Sequence, residues 1–153
     1  MRSIQEIVDT TKDNPAGKFR CCAEIVNVSP RKVEEFVRWS NLDRQHVCLF
    51  TVTLQDATAS LPALVAYEDF EEFTGVAQSD MKTTNGLNQC AAVISSLLQP
   101  GMLSEVCLKT CAGRDGQLLC RVFATKVLAV PRKVPLLQQG GGKVAAGGKR
   151  KRG

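Results

Sequence analysis

The chain has 153 residues, of which 44% are hydrophobic, 23% charged and 5% aromatic, which places it with globular domains and excludes disordered, collagenous and coiled-coil chains. At this length one core is the natural count, and it forms without metal or disulfide staples. No run approaches the ~18 consecutive apolar residues of a membrane span, residues 1–6 do not open a secretory signal, and a soluble intracellular protein with no membrane partner is expected.

The net charge of +5 is unevenly placed. Arg132, Lys133, Lys143, Lys149, Arg150, Lys151 and Arg152 put seven positive charges after residue 130, while residues 1–130 carry 13 basic against 15 acidic side chains. Attraction to phosphate that depends on summed charge is therefore expected mainly from the tail. Seven cysteines, an odd number, read as reduced thiols of a nuclear or cytosolic protein and chiefly as small core residues.

In chain order, Ser3 and Glu6 form a capping-box pattern ahead of Ile4, Ile7 and Val8, which predicts a short helix over residues 3–10. Asn14-Pro15-Ala16-Gly17 breaks it, and residues 19–28 form a long apolar run suited to a strand. Ser29 and Pro30 open a helical turn with Val33, Phe36 and Val37 on one face, and residues 38–45 read as a polar helical loop apart from Trp39 and Leu42.

Cys48, Phe50, Val52 and Leu54 alternate with Leu49, Thr51, Thr53 and Gln55, the pattern of a half-buried strand. Asp56-Ala57-Thr58-Ala59 turns the chain into a second strand over residues 60–67, where Pro62 marks an edge or bulge. Residues 68–73 form a short acidic helix. After Asn85-Gly86, a helix is expected with Leu87, Ala91, Ile94 and Leu98 as its stripe, ended by Pro100-Gly101. Strands over residues 102–111 and 117–128 flank Gly113-Arg114-Asp115-Gly116, a strong hairpin signal. A disordered Gly-, Lys- and Arg-rich tail is expected over residues 131–153, beyond a folded domain of residues 1–130.

Three strands, a helix and two strands are the connectivity of a mainly β, five-stranded Greek-key barrel, the oligonucleotide/oligosaccharide-binding (OB) fold.

Little in the sequence points to catalysis. Glu34-Glu35 and the carboxylates of residues 68–72 lie on amphipathic helical segments and read as solvated faces. His46 and Cys48 share one side of a strand, but a lone His there reads as structural. No glycine loop cradles phosphate, and no cysteines are paired at zinc spacing. The expectation is a protein that is not an enzyme and holds neither cofactor nor metal.

Single-strand binding needs a basic groove lined with rings, and the sequence offers Trp39 as a stacker with Lys109 and Arg121 for phosphate. The run Lys149-Arg150-Lys151-Arg152 reads as an import signal or an electrostatic tail that touches phosphate. Phe70, Phe73, Leu87 and Ile94 lie on helical segments that either present apolar surface to a partner or pack on the barrel bottom.

Residues 50–59, then Leu61-Pro62-Ala63-Leu64-Val65, then Glu68-Asp69-Phe70-Glu71-Glu72-Phe73 resemble the strand, D-x-T turn, strand and acidic helix of the carboxy-terminal OB domain in protection-of-telomeres proteins. The likeness extends to Ser3-Ile4-Gln5-Glu6-Ile7, Lys18-Phe19-Arg20-Cys21, Pro100-Gly101, Glu105-Val106-Cys107 and residues 120–125. The cysteine pairs that some relatives carry between the first two strands are absent. The resemblance implies a nuclear factor of the chromosome's telomeric region, part of a complex on G-rich single-stranded DNA. Its main contact would be a shelterin-type protein, docked through Trp39, Phe70, Phe73, Leu87 and Ile94. The other course is direct binding of telomeric DNA or telomerase RNA by the barrel.

Overall fold

The computed structural model describes residues 1–126, and its longest strand, β1 (Gly17–Ser29), organises the rest. The chain runs α1 (Ile4–Asp13), β1, a 3-10 turn (Val33–Phe36), β2 (Val37–Ser40), β3 (Gln45–Gln55), β4 (Ser60–Ala66) and α2 (Glu68–Thr74). A second 3-10 turn (Gln78–Lys82), α3 (Thr84–Leu97), β5 (Leu103–Ala112) and β6 (Leu118–Val122) follow.

The strand order is β1-β5-β6-β4-β3-β2, and a further pairing of β1 with β3 closes β1, β3, β4, β5 and β6 into a barrel. The helix between its third and fourth strands, α3, makes this the expected OB fold. β1 pairs with β5 from Gly17 to Glu24 and with β3 from Glu24 to Ser29. A register shift between Ile25 and Asn27 separates the two pairings. Val26 is the extra residue and is exposed, and the inward series Cys21, Ala23, Ile25 resumes out of phase at Val28. An inserted residue bends and twists a strand, which lets one strand face two partners.

Alternation in β3 buries Cys48, Phe50, Val52 and Leu54 as the sequence indicates. Phe36 stacks on Phe50 at 4.5 Å between centroids, and Phe70 meets both rings edge-on. Phe73 lies 6.0 Å from Phe50. These offset and edge-to-face pairs fill one end of the barrel, each worth about 0.5–1.5 kcal/mol beyond area burial.

Three elements differ from the sequence reading. Residues 38–45 form a hairpin instead of a helical loop, with Val37↔Cys48 to Ser40↔Gln45 in register. Ser40 and Asp43 bond across its turn, where Arg44 adopts φ 55°. The helix after Asn85-Gly86 starts earlier, capped by the Thr83 hydroxyl, which accepts from the Gly86 N–H at 3.0 Å. Its stripe is rotated as well: Cys90, Val93, Ile94 and Leu97 are buried, Leu87 is half-buried, and Ala91 and Leu98 are exposed. The rotation follows from Gly86, where a Cβ would fall 1.9 Å from the Asp80 carbonyl oxygen, so glycine permits the second 3-10 turn to press against α3. Finally, β6 ends at Val122 because Ala124 turns at φ 46° and the Thr125 hydroxyl accepts from the Cys107 N–H. Residues 127 and 128 of the expected strand lie outside the described residues, as does the whole tail from residue 131.

The Asp56 turn does more than reverse the chain. Its Oδ1 accepts from the Thr58 N–H at 2.8 Å and the Ala59 N–H at 3.1 Å, while Oδ2 accepts from the Ile4 N–H at 2.9 Å. Thr58 accepts from the Gln5 N–H at 3.1 Å. The first turn of α1, whose amides lack intrahelical partners, is thus capped from the β3–β4 turn as well as by the reciprocal Ser3–Glu6 box. Desolvation raises the Asp56 carboxyl, but hydrogen bonds from Thr58, Ile4 and Ala59 outweigh it and lower the group from 3.8 to about 2. A depressed carboxyl stabilises fully above its unfolded value and loses that contribution as pH falls through the folded one. Thermal melts followed by circular dichroism should therefore show stability falling between about pH 4 and pH 2. Asp56→Asn should flatten that decline, and Asp56→Ala at pH 7 should cost about 1–2 kcal/mol.

Candidate functional site

The outer edge of α3 and the first 3-10 turn enclose a groove of about 360 Å3. Arg31, Val33 and Glu34 form one wall, and Leu87, Asn88, Ala91, Ile94, Ser95 and Leu98 the other. Helical spacing explains the second wall, because residues 87, 91, 94 and 98 recur at three and four and therefore share one face. Of the residues singled out in the sequence, Leu87 and Ile94 lie here, Ile94 only 5% exposed at the base. Leu98, 38% exposed, is the more accessible contact, joined by Ala91.

Phe70 and Phe73, expected as docking anchors, have no exposure and belong to the aromatic cluster, so neither reaches a partner in this fold. Trp39 is 56% exposed on the β2–β3 hairpin, edge-on to His46 at 5.1 Å, with its indole N–H donating to Asn41 Oδ1. A hollow of about 240 Å3 beside it is lined by Gln45, His46, Cys48, Gln78 and Lys82. Gln78 clips the second 3-10 turn to β3, its Oε1 accepting from the Cys48 N–H at 2.8 Å. Burial, with Glu71 nearby, pushes the Cys48 thiol up to about 11 against the pull of Lys82. Burial likewise pushes Cys21 and Cys120 up to about 11 and Cys90 to about 12. A raised thiol is a poor nucleophile and a poor metal ligand at neutral pH. Among the described residues no group of three or more His, Cys, Asp or Glu side chains converges as a metal site.

Lys109 and Arg121 are directly opposed on β5 and β6, and Lys18 on β1 opposes Lys109 from the other side. Arg121 reaches Asp69 at 3.6 Å. Phe123 follows β6, its ring centroid 5.2 Å from Lys109 Nζ and 5.7 Å from Lys18 Nζ. Trp39 does not belong to this group, because β4 and β3 separate β6 from β2. Lys18 and Phe123 were not identified from sequence. The spacing of Leu119, Arg121 and Phe123 is the one signal that places Phe123 on the outer face. Lys149, Arg150, Lys151 and Arg152 lie outside the described residues. The outward face of β3 and β4 reads Leu49, Thr51, Thr53, Pro62 and Leu64, without ring or cation.

The closed barrel, its α3 cap and the helix clamped ahead of β1 define an OB-fold domain. The chain belongs to the POT1A-like OB fold domain family, whose model matches residues 4–112. It is 36% identical over 66 residues to protection of telomeres protein 1a of Arabidopsis thaliana, a stretch covering 43% of this chain and 14% of that protein. A chain of the crystal structure of fission yeast Pot1 and Tpz1 shares the fold, with a TM-score of 0.59 at 15% identity over 79% of this chain and 90% of that one.

The two classes of apolar residue should respond differently to substitution. Phe70→Ala should cost about 3–5 kcal/mol in chemical denaturation, as a buried ring removed from a packed core does. Leu98→Ala should change stability by less than about 1 kcal/mol, because the side chain is already partly in water.

Proposed function

We propose that the chain is a non-enzymatic telomere end-protection module. It works in the nucleus, at the telomeric region of chromosomes, by docking a shelterin-type partner and so joining a complex on telomeric single-stranded DNA. Membership of the POT1A-like family supports the telomeric assignment. The observation that carries the docking reading is the α3 groove, where Leu87, Ala91, Ile94 and Leu98 present an apolar helix face opposite Val33. Helix faces of this kind are recognised through anchors at three- and four-residue spacing. The neutral, ringless outer face of β3 and β4 supports the same choice, since sequence-tolerant grip on single strands rests on stacked bases worth about 1–3 kcal/mol each.

A second reading, direct binding of the strand by the barrel, draws on the cross-strand pair of Lys109 and Arg121. In the favoured reading the folded module spans residues 1–130 and the tail supplies auxiliary phosphate contacts through Lys149, Arg150, Lys151 and Arg152.

Calorimetry with a shelterin-type partner separates the two. Ala91→Glu with Leu98→Glu should weaken the partner by about 10–100-fold while leaving the melting curve unchanged. Removal of residues 131–153 should leave partner affinity intact. On a telomeric-repeat oligonucleotide, the same truncation should reduce the log–log salt slope by up to about 5, from the seven charges removed. Sequence-selective strand binding that survives truncation without a partner would establish the second reading instead.

A further inference from the structure

The outer face of β1, β5 and β6 carries an arrangement that folding alone disfavours. Lys18 is registered opposite Lys109, and Lys109 opposite Arg121, so three cations stand side by side across three strands. Like charges in direct cross-strand pairs are destabilising. The arrangement occurs although residues 1–130 are acidic on balance, with 13 basic and 15 acidic side chains. Arg20, exposed two residues beyond Lys18 on the same face, enlarges the patch.

Two features say what the row is shaped to receive. Phe123 is half-buried and has both ammonium groups within reach of its ring, at 5.2 and 5.7 Å from the centroid. A ring engaged in this way holds the lysines ready for an anion, but it is not a free platform for a nucleobase. At the end of the row Arg121 already has a helical carboxylate, Asp69 of α2, at 3.6 Å. Lys18 and Lys109 are the cations left for an incoming ligand; among the described residues neither has a salt bridge. Adjacent strands lie roughly 4.8 Å apart, close to the roughly 5–6 Å between side chains three or four residues apart on a helix.

We propose that Lys18 and Lys109, held against Phe123, form a docking surface for a glutamate- or aspartate-bearing helix of a partner protein, continuing the contact that Asp69 makes with Arg121. This surface is separate from the α3 groove and stands whether or not that groove docks a partner.

The test uses the full chain at low ionic strength and two synthetic helical peptides of about 15 residues, one with glutamates four residues apart and one with glutamines in their place. Oligothymidylate serves as the nucleic-acid probe. Wild-type protein should prefer the glutamate peptide, and the preference should fade with added salt. Lys18→Gln with Lys109→Gln should weaken that peptide by about tenfold, whereas Arg38→Gln with Arg44→Gln, an equal change in net charge on the hairpin, should change it by less than about twofold. Lys18→Arg with Lys109→Arg should restore binding, and circular dichroism should show every variant folded. The proposal is overturned if the glutamate peptide is not preferred, or if the two glutamine pairs lose equally. It is also overturned if the loss at the row is as large on oligothymidylate as on the peptide, which would make the row a track for nucleic acid.

Discussion

Closure of the barrel depends on one extra residue in β1. Without Val26 the strand would keep a single phase and a single course, and it could not pair with β5 along its first half and with β3 along its second. The inserted residue rotates the inward series from Ile25 to Val28 and bends the strand between its two neighbours. Everything else follows from that double pairing. The barrel has an end for Phe36, Phe50, Phe70 and Phe73 to fill, and α3 has a floor to pack on. The β3–β4 turn also stands where Asp56 meets the first amide of α1.

A closed barrel also separates its walls chemically. The β3–β4 wall is neutral, the β1–β5–β6 wall is basic, and the α3 side is apolar with Arg31 and Glu34 at its rim. The two strand walls are assembled by register from distant segments, and the apolar side follows the helical spacing of α3, so a domain with little net charge offers three unlike surfaces. The overall charge, dominated by residues after 130, describes none of them.

This division explains which features were legible in the sequence. The capping box at Ser3 and Glu6, the alternation of β3 and the turn at Asp56 are encoded by neighbours within a few residues, and all three were readable. The barrel connectivity followed from them, supported by the likeness to telomere-protecting proteins. The phase of α3 was not readable, because it is set by Gly86 meeting the carbonyl of Asp80 in a turn that has no pattern of its own. Phe70 and Phe73 looked like anchors because nothing local reveals that Phe36 and Phe50 wait for them. The cationic row was invisible for the same reason at longer range, since it exists only when residue 18 is placed opposite residue 109. The hairpin at residues 37–48 was misread because the positive-φ position of its turn is occupied by Arg44, where glycine or asparagine would have announced it.

The hairpin also determines how the molecule can be watched. Trp39 is the only tryptophan in the chain, and it sits in contact with water on the β2–β3 hairpin, unlike the four packed phenylalanines. Its indole emission should accordingly be that of a largely solvated ring in the native state and should change little in colour when the barrel melts. The same property makes it a natural beacon for encounters at the hairpin, where an approaching surface would shield it and shift its light to the blue.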